Sequence, residues 1–306
     1  MVKIQKKSEV QPIDGDQKIK LVNMGHILEV MAMEKLPDGD FGITKIDKDR
    51  YMINDTGEVL EYNHTENRKE NIDSLRKTFK QLRYLINYNF QGNPNELAFT
   101  ITYGEHVTDP ERLYKDFERF MKRIRYKYKD VDYLNVVEPM GSGRWHCHCL
   151  LKFNSMKKTY ILNTEVREMW GQGHVTVKAI RQNVDNMGAY LSAYLGDIEL
   201  TDENIKQVYE SGGNIVVKEA EVDGKKKKFI KGGRLHMYPT GMRIYRKSQG
   251  IKEPPVDWLY FDEVKKIVGS ATPNYSKTID ILDENDEILN SITYYQYNLK
   301  RGEYQR

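Results

Sequence analysis

An α+β protein is predicted from this sequence, with an antiparallel-rich central sheet, flanking helices and the element order β-α-β-β-α-β-α. Three observations predict it. Runs with strand character lie at 97–103, 132–138, 145–153 and 174–180, and helical periodicity fills stretches between and after them. The second and third runs are separated only by the glycine-bearing turn Met140–Arg144, so they pair antiparallel. Helices packed on such a sheet let both kinds of element bury an apolar face.

Each element has its own warrant. Residues 1–67 are polar and irregular, with short β-like pieces such as 50–53 turning at Asp55-Thr56-Gly57. In 68–90, Ile72, Leu75, Phe79, Leu82, Ile86 and Phe90 fall on one face of a long amphipathic helix, with Arg68, Lys69, Arg76, Lys77, Lys80 and Arg83 opposite. The stretch Gln91–Pro94 ends it. Leu97–Tyr103 reads as the first strand, and Asp109-Pro110 as an N-cap with proline at the first helical position. The helix so opened buries Leu113, Phe117, Phe120, Met121 and Ile124. The two paired strands come next, then a short helix at 164–170, a strand at 174–180 and a last helix at about 184–195. Residues 199–231 read as a charged, mobile insertion with Lys225–Lys228 in a loop; 234–255 are basic and aromatic, and the chain from 256 is mixed. The expected organisation is an accessory region at 1–95, a core at 96–198 and a basic, aromatic extension at 199–306.

Composition narrows the class. The 306 residues are 30% charged and 39% hydrophobic with a net charge of +3, values of an ordinary soluble protein. No apolar run approaches the ~20 residues a membrane helix needs. The start, MVKIQKKSEVQP, has no apolar segment behind its lysines and predicts no secretory signal. The two cysteines, Cys147 and Cys149, imply no disulfide framework, so a cytoplasmic protein is expected.

The sharpest local signal is Trp145-His146-Cys147-His148-Cys149. Side chains alternate along a strand, so the two histidines share one face and the thiols point to the other. Two residues of rise, roughly 6.6 Å, let both imidazoles reach one ion, and the same alternation rejects a four-ligand His/Cys zinc knot. Glu138 ends the neighbouring strand and is the expected third ligand. Two imidazoles and a carboxylate leave positions open on a divalent ion such as Mn²⁺ or Mg²⁺, which suits Lewis-acid work on a phosphate. Further along, Tyr190 and Tyr194 stand four residues apart, hence on one helical face ~6 Å from each other.

Taken in order, these parts resemble the HUH endonucleases, and most closely the rolling-circle replication initiators of bacterial plasmids, integrative elements and phages. Phe99-Thr100-Ile101-Thr102-Tyr103 is similar to their first motif, Glu138 with His146-Cys147-His148 to the second, and Tyr190-x-x-x-Tyr194 to the third. Flanking stretches at 65–68 and 238–246 resemble the same group. The resemblance implies an HUH core in which Tyr190 or Tyr194 attacks a DNA phosphate, forming a 5′-phosphotyrosyl link and freeing a 3′-hydroxyl. Tyr194 is favoured to act first, since single-tyrosine relatives carry the nucleophile at the second position. One departure stands out: many relatives place a lysine three residues after the active tyrosine, where this chain has Ala193 and Asp197. Lys178 or an arginine is a candidate to take its place.

Single-stranded or supercoiled origin DNA is the implied partner. Thr100, Thr102, Lys178, Arg243, Tyr245 and Arg246 are candidate DNA-binding residues, because cations bind phosphates and tyrosines stack on splayed bases. A basic stripe at 119–129 is a second candidate surface. No Gly-x-x-x-x-Gly-Lys-Ser/Thr loop is present, so unwinding is expected from supercoiling or a host helicase. A relaxase or transposase of the same chemistry, and a DNA-binding regulator without catalysis, are the alternatives.

Overall fold

The chain forms two compact units, one of Met1–Thr65 with Pro254–Arg306 and one of Glu66–Glu253. The computed structural model describes residues 3–36, 43–47, 49–53, 59–61, 72–140, 144–180, 186–188, 196–210, 215–222, 225–230, 232–239 and 242–300. The fold is α+β, and every strand pairing among these residues is antiparallel.

The first unit draws on both ends of the sequence. Its strands are β1 (Lys3–Lys6), β2 (Lys18–Asn23), β3 (Ile27–Met33), β4 (Ile43–Lys45), β5 (Arg50–Ile53) and β6 (Val59–Glu61), then β15 (Val256–Tyr260), β16 (Tyr275–Leu282) and β17 (Ile288–Asn298). Six of them form a sheet in the order β1-β16-β17-β3-β2-β15, and β4-β5-β6 form a small sheet of their own. Helix α5 (Phe261–Val268) lays Phe261, Val264 and Val268 on Ile19, Leu21, Leu28, Val30 and Ala32. The polar, irregular reading of 1–67 therefore misses a regular sheet. The β-like piece 50–53 is β5, and its turn at Asp55-Thr56-Gly57 lies outside the described residues.

The second unit holds α1 (Ile72–Asn89), β7 (Glu96–Tyr103), α2 (Pro110–Tyr128), β8 (Val131–Pro139), β9 (Trp145–Phe153), α3 (Asn163–Trp170), β10 (Gly173–Ala179), β11 (Ile198–Glu199), α4 (Asp202–Glu210), β12 (Val217–Val222), β13 (Lys225–Ile230) and β14 (Tyr245–Lys247). Its main sheet runs β10-β7-β9-β8-β14. The expected cap is present: Asp109 accepts from the Glu111 and Arg112 amides at 2.9 and 3.2 Å, and Pro110 opens α2. Phe117 and Phe120 of α2 meet Tyr133 and Phe99 with ring centroids 5.2 and 6.4 Å apart, fixing that helix on one face of the sheet. Leu82, Leu85, Ile86 and Phe90 bring α1 into this same core, so it belongs with the sheet rather than with the first 65 residues; the side chains of Ile72 and Leu75 lie outside the described residues. Gly173, at φ 154°, sits where β7 and β10 converge, and a Cβ there would lie 2.3 Å from the Gly104 nitrogen.

The segment 199–231 departs from expectation. Its described residues build a three-stranded sheet, β11-β13-β12, and α4, around Ile198, Val208 and Ile230. Lys225–Lys228 is strand, not loop. Register explains it: Lys228 faces Glu219, Lys226 faces Glu221, and Lys227 reaches Glu199 at 3.1 Å, so the like charges of the run are neutralised across strands. Among the described residues, no helix is long and apolar enough to cross a membrane.

Candidate metal centre

The hairpin of β8 and β9 sets Glu138 directly opposite His146, and Val136 opposite His148. On the other flank of β9, β7 sets Thr102 opposite His146 and Thr100 opposite His148. One sheet face thus presents Glu138, both histidines and both threonines. The opposite face takes Cys147 and Cys149 into the core under α2, where burial pushes the Cys147 thiol up to about 12 and raises Cys149 as well. The alternation argument holds in detail.

The ligand atoms of Glu138, His146 and His148 lie within 4.8 Å of one another, and the cluster could hold a metal ion. Glu138 Oε2 is 2.5 Å from His148 Nε2, and His148 Nδ1 is 3.4 Å from Thr100 Oγ1, so the ring is oriented from both sides. Burial works to raise the Glu138 pKa, but the His148 hydrogen bond and the charges of His148, Arg234 and His146 outweigh it and hold the carboxyl below its ordinary value. Burial lowers His146, against the pull of Glu138. Both shifts favour the forms that bind metal: a charged carboxylate and a neutral imidazole.

Arg234 is the member that sequence reasoning placed elsewhere, on a nucleic-acid surface. Its Nη2 lies 3.1 Å from Glu138 Oε1, its Nη1 donates to the Pro139 carbonyl at 2.5 Å, and its Nε donates to the Asp197 carbonyl at 2.7 Å. One guanidinium therefore joins the carboxylate of the cluster to the chain just after the tyrosine segment. The signal that could have found it is general: a buried carboxylate calls for a cationic partner.

Tyr190 and Tyr194, with most of the expected helix at 184–195, lie outside the described residues; the chain on both sides is described. Before them, the Gly188 amide donates to Asn87 Oδ1 at 2.8 Å, and Asn87 Nδ2 donates to Asn186 Oδ1 at 2.9 Å, pinning this end to α1. Gly188 is obligatory there, since a Cβ would meet the Arg83 carbonyl at 2.6 Å. After them, the Asp197 side chain accepts from the Gly232 amide at 2.8 Å and pairs with Lys218. Asp197 is an anchor of the segment.

The remaining candidates separate by face. Lys178 of β10 pairs with Ala98 and is exposed on the histidine face, in a row next to that of Thr176, Thr100 and His148. Tyr245 pairs with Val136 and shares this face. His174, unnoticed in the sequence, stands opposite Thr102 on the same face. Arg246 is on the other face, its guanidinium carbon 3.9 Å from the Tyr114 ring centroid. Arg243 is exposed, its backbone held at both ends by the Tyr114 hydroxyl.

Residues 96–199, from β7 to β11, match the family described as replication-associated protein, of the ORF2 type. Among curated proteins, the chain is similar to the Phasyl DNA replicon protein arp of Escherichia coli, 28% identical over a stretch covering 44% of this chain and 56% of that protein. The chain thus spans little more than half the length of this relative. Over the matched segment it is similar to replication-associated proteins of the Rep type, and the resemblance drawn from its motifs is borne out.

Proposed function

We propose that this protein is a rolling-circle replication initiator: a divalent-metal-dependent endonuclease of the HUH type that nicks and rejoins one strand of its own origin. The observation that supports this most is the convergence of Glu138, His146 and His148 within 4.8 Å, on one face of a sheet inside the family-matched segment. Residues 96–198 are assigned as the endonuclease core, with the remaining segments accessory to it.

The donor set of two imidazole nitrogens and one carboxylate oxygen fits a divalent ion, Mn²⁺ or Mg²⁺. Such an ion supplies Lewis-acid polarisation of a phosphate oxygen. Glu138, His146 and His148 hold it, Thr100 orients His148, and Arg234 fixes the second oxygen of Glu138. Tyr194 or Tyr190 attacks phosphorus through its phenolic oxygen and gives up the phenolic proton. The bond to the 3′ oxygen breaks, that oxygen takes a proton, and a 5′-phosphotyrosyl ester remains. One phosphoester replaces another, so the reverse step rejoins the strand without ATP. Lys178 and Tyr245, on the same face, are assigned to the DNA, and a host helicase is the implied partner for unwinding.

Covalent capture tests this reading. The protein is incubated with Mn²⁺ and single-stranded oligonucleotides tiling its own replicon, and denaturation-resistant adducts are mapped by peptide mass spectrometry. An adduct on Tyr190 or Tyr194 that is lost in His146→Ala is expected. Tight binding without any adduct would instead indicate a DNA-binding regulator.

A further inference from the structure

The six-stranded sheet has a second face. Helix α5, the one helix among the described residues of this unit, covers Ile19, Leu21, Leu28, Val30, Ala32 and Tyr297. Alternation turns the residues between them the other way. The register sets Trp258 beside Lys20, Lys20 beside Met31, Met31 beside Tyr294, and Tyr294 beside Lys277, one row across five strands. Tyr260 stands beside Lys18 one row along, and on the other side Tyr275 stands beside Gln296, itself beside Glu29. Val22 is buried and bounds the open area at that side.

From this face we infer that the sheet is a stacking platform for single-stranded DNA. Large aromatics are left in solvent here: Trp258 is 43% exposed, Tyr260 55% and Tyr275 51%, whereas Trp145 and Trp170 are 3% and 2% exposed. Basic groups interleave with them. Lys6, Lys18, Lys20 and Lys277 lie on this face against one carboxylate, Glu29, which accepts from Gln296 at 3.0 Å. The Lys277 ammonium sits 4.9 Å from the Tyr294 ring centroid, so phosphate-binding charge and base-stacking surface adjoin. Alternating ring and cation on a flat, open sheet is what an unpaired strand needs, since its bases can splay onto rings while its phosphates meet lysines. A duplex keeps its bases stacked on one another and gains only the lysine contacts.

This inference stands apart from the nicking chemistry, because the platform shares no residue with the metal cluster. The test uses the full chain in EDTA, with oligothymidylate as the probe. Trp258 is the exposed fluorophore, so binding quenches the emission, and Trp258→Phe removes that response. Trp258→Ala is expected to weaken binding roughly tenfold, and Lys20→Glu with Lys277→Glu at least as much with a shallower salt dependence. His146→Ala binds as the parent does, so a failure to cut leaves this result untouched. Unchanged affinity in both variants overturns the platform, as does quenching by duplex at equal nucleotide concentration. A concentration-dependent dimer abolished by Trp258→Ala, with no response to oligonucleotide, also overturns it and assigns the face to a second copy of this chain.

Discussion

The sheet that holds Glu138, His146 and His148 and the sheet that holds Trp258 and Tyr294 share one plan. Both are antiparallel, and each is packed against a helix on one face, α2 in the first and α5 in the second. They differ in where their strands come from. In the five-stranded sheet, β7 to β10 follow one another within residues 96–179. In the six-stranded sheet, Ile27 of β3 pairs with Asn298 of β17. The first sheet is locally encoded and falls inside the family match; the second closes across the whole chain and lies outside it. A site placed by a local hairpin can be seen in the sequence, and a surface placed by distant pairing cannot.

Predictions that separate the two sheets run from large effects to small. His146→Ala or His148→Ala is expected to lower Mn²⁺-dependent adduct formation on the order of 10³-fold or more, while oligothymidylate binding by the other sheet stays at its parent value. Loss of both together would end the division of labour. Arg234→Ala should weaken Mn²⁺ binding, read by electron paramagnetic resonance of the free ion, by about 10- to 100-fold, with Arg234→Lys between it and the parent. Equal affinity in all three would reduce Arg234 to an anchor of the chain near Asp197.

A smaller effect follows from acid. His146 is held below its ordinary pKa by burial, so between that lowered value and about 6.5 the unfolded chain takes up a proton that the native chain refuses. Glu138, also lowered, adds stability that is present above its ordinary pKa and is lost as pH falls through its native value. Both have the same sign: in EDTA, the urea midpoint should drop from pH 7 to pH 5.5, and His146→Gln should flatten that drop. The smallest change is expected from Cys147→Val. The thiol is buried and protonated, acting as a small hydrophobe, so adduct formation should stay within about twofold and stability within ~1.5 kcal/mol. A large loss of activity would give the thiol a chemical role.

Legibility followed the range of the interactions. The His146-Cys147-His148 alternation and the Asp109-Pro110 cap are written in neighbouring residues, and the structure has both. The run Lys225–Lys228 looked like a solvated loop because its glutamates sit on two other strands. Arg234 had no local mark at all, since its partners Glu138, Pro139 and Asp197 are 37 residues away or more. The strands of the first unit were overlooked for the same reason: β2 and β3 make a hairpin, but the partners that make it a sheet lie beyond residue 255.

The pairing of β3 with β17 also sets an order of events during synthesis. Strands made near the start of the chain wait for their partners until nearly 300 residues have been translated, while β7 to β10 can close as soon as they leave the ribosome. The unit begun first is finished last. A chain broken off before β16 would still hold a foldable core, with the edges of β1 and β3 left open to pair with any other strand they meet.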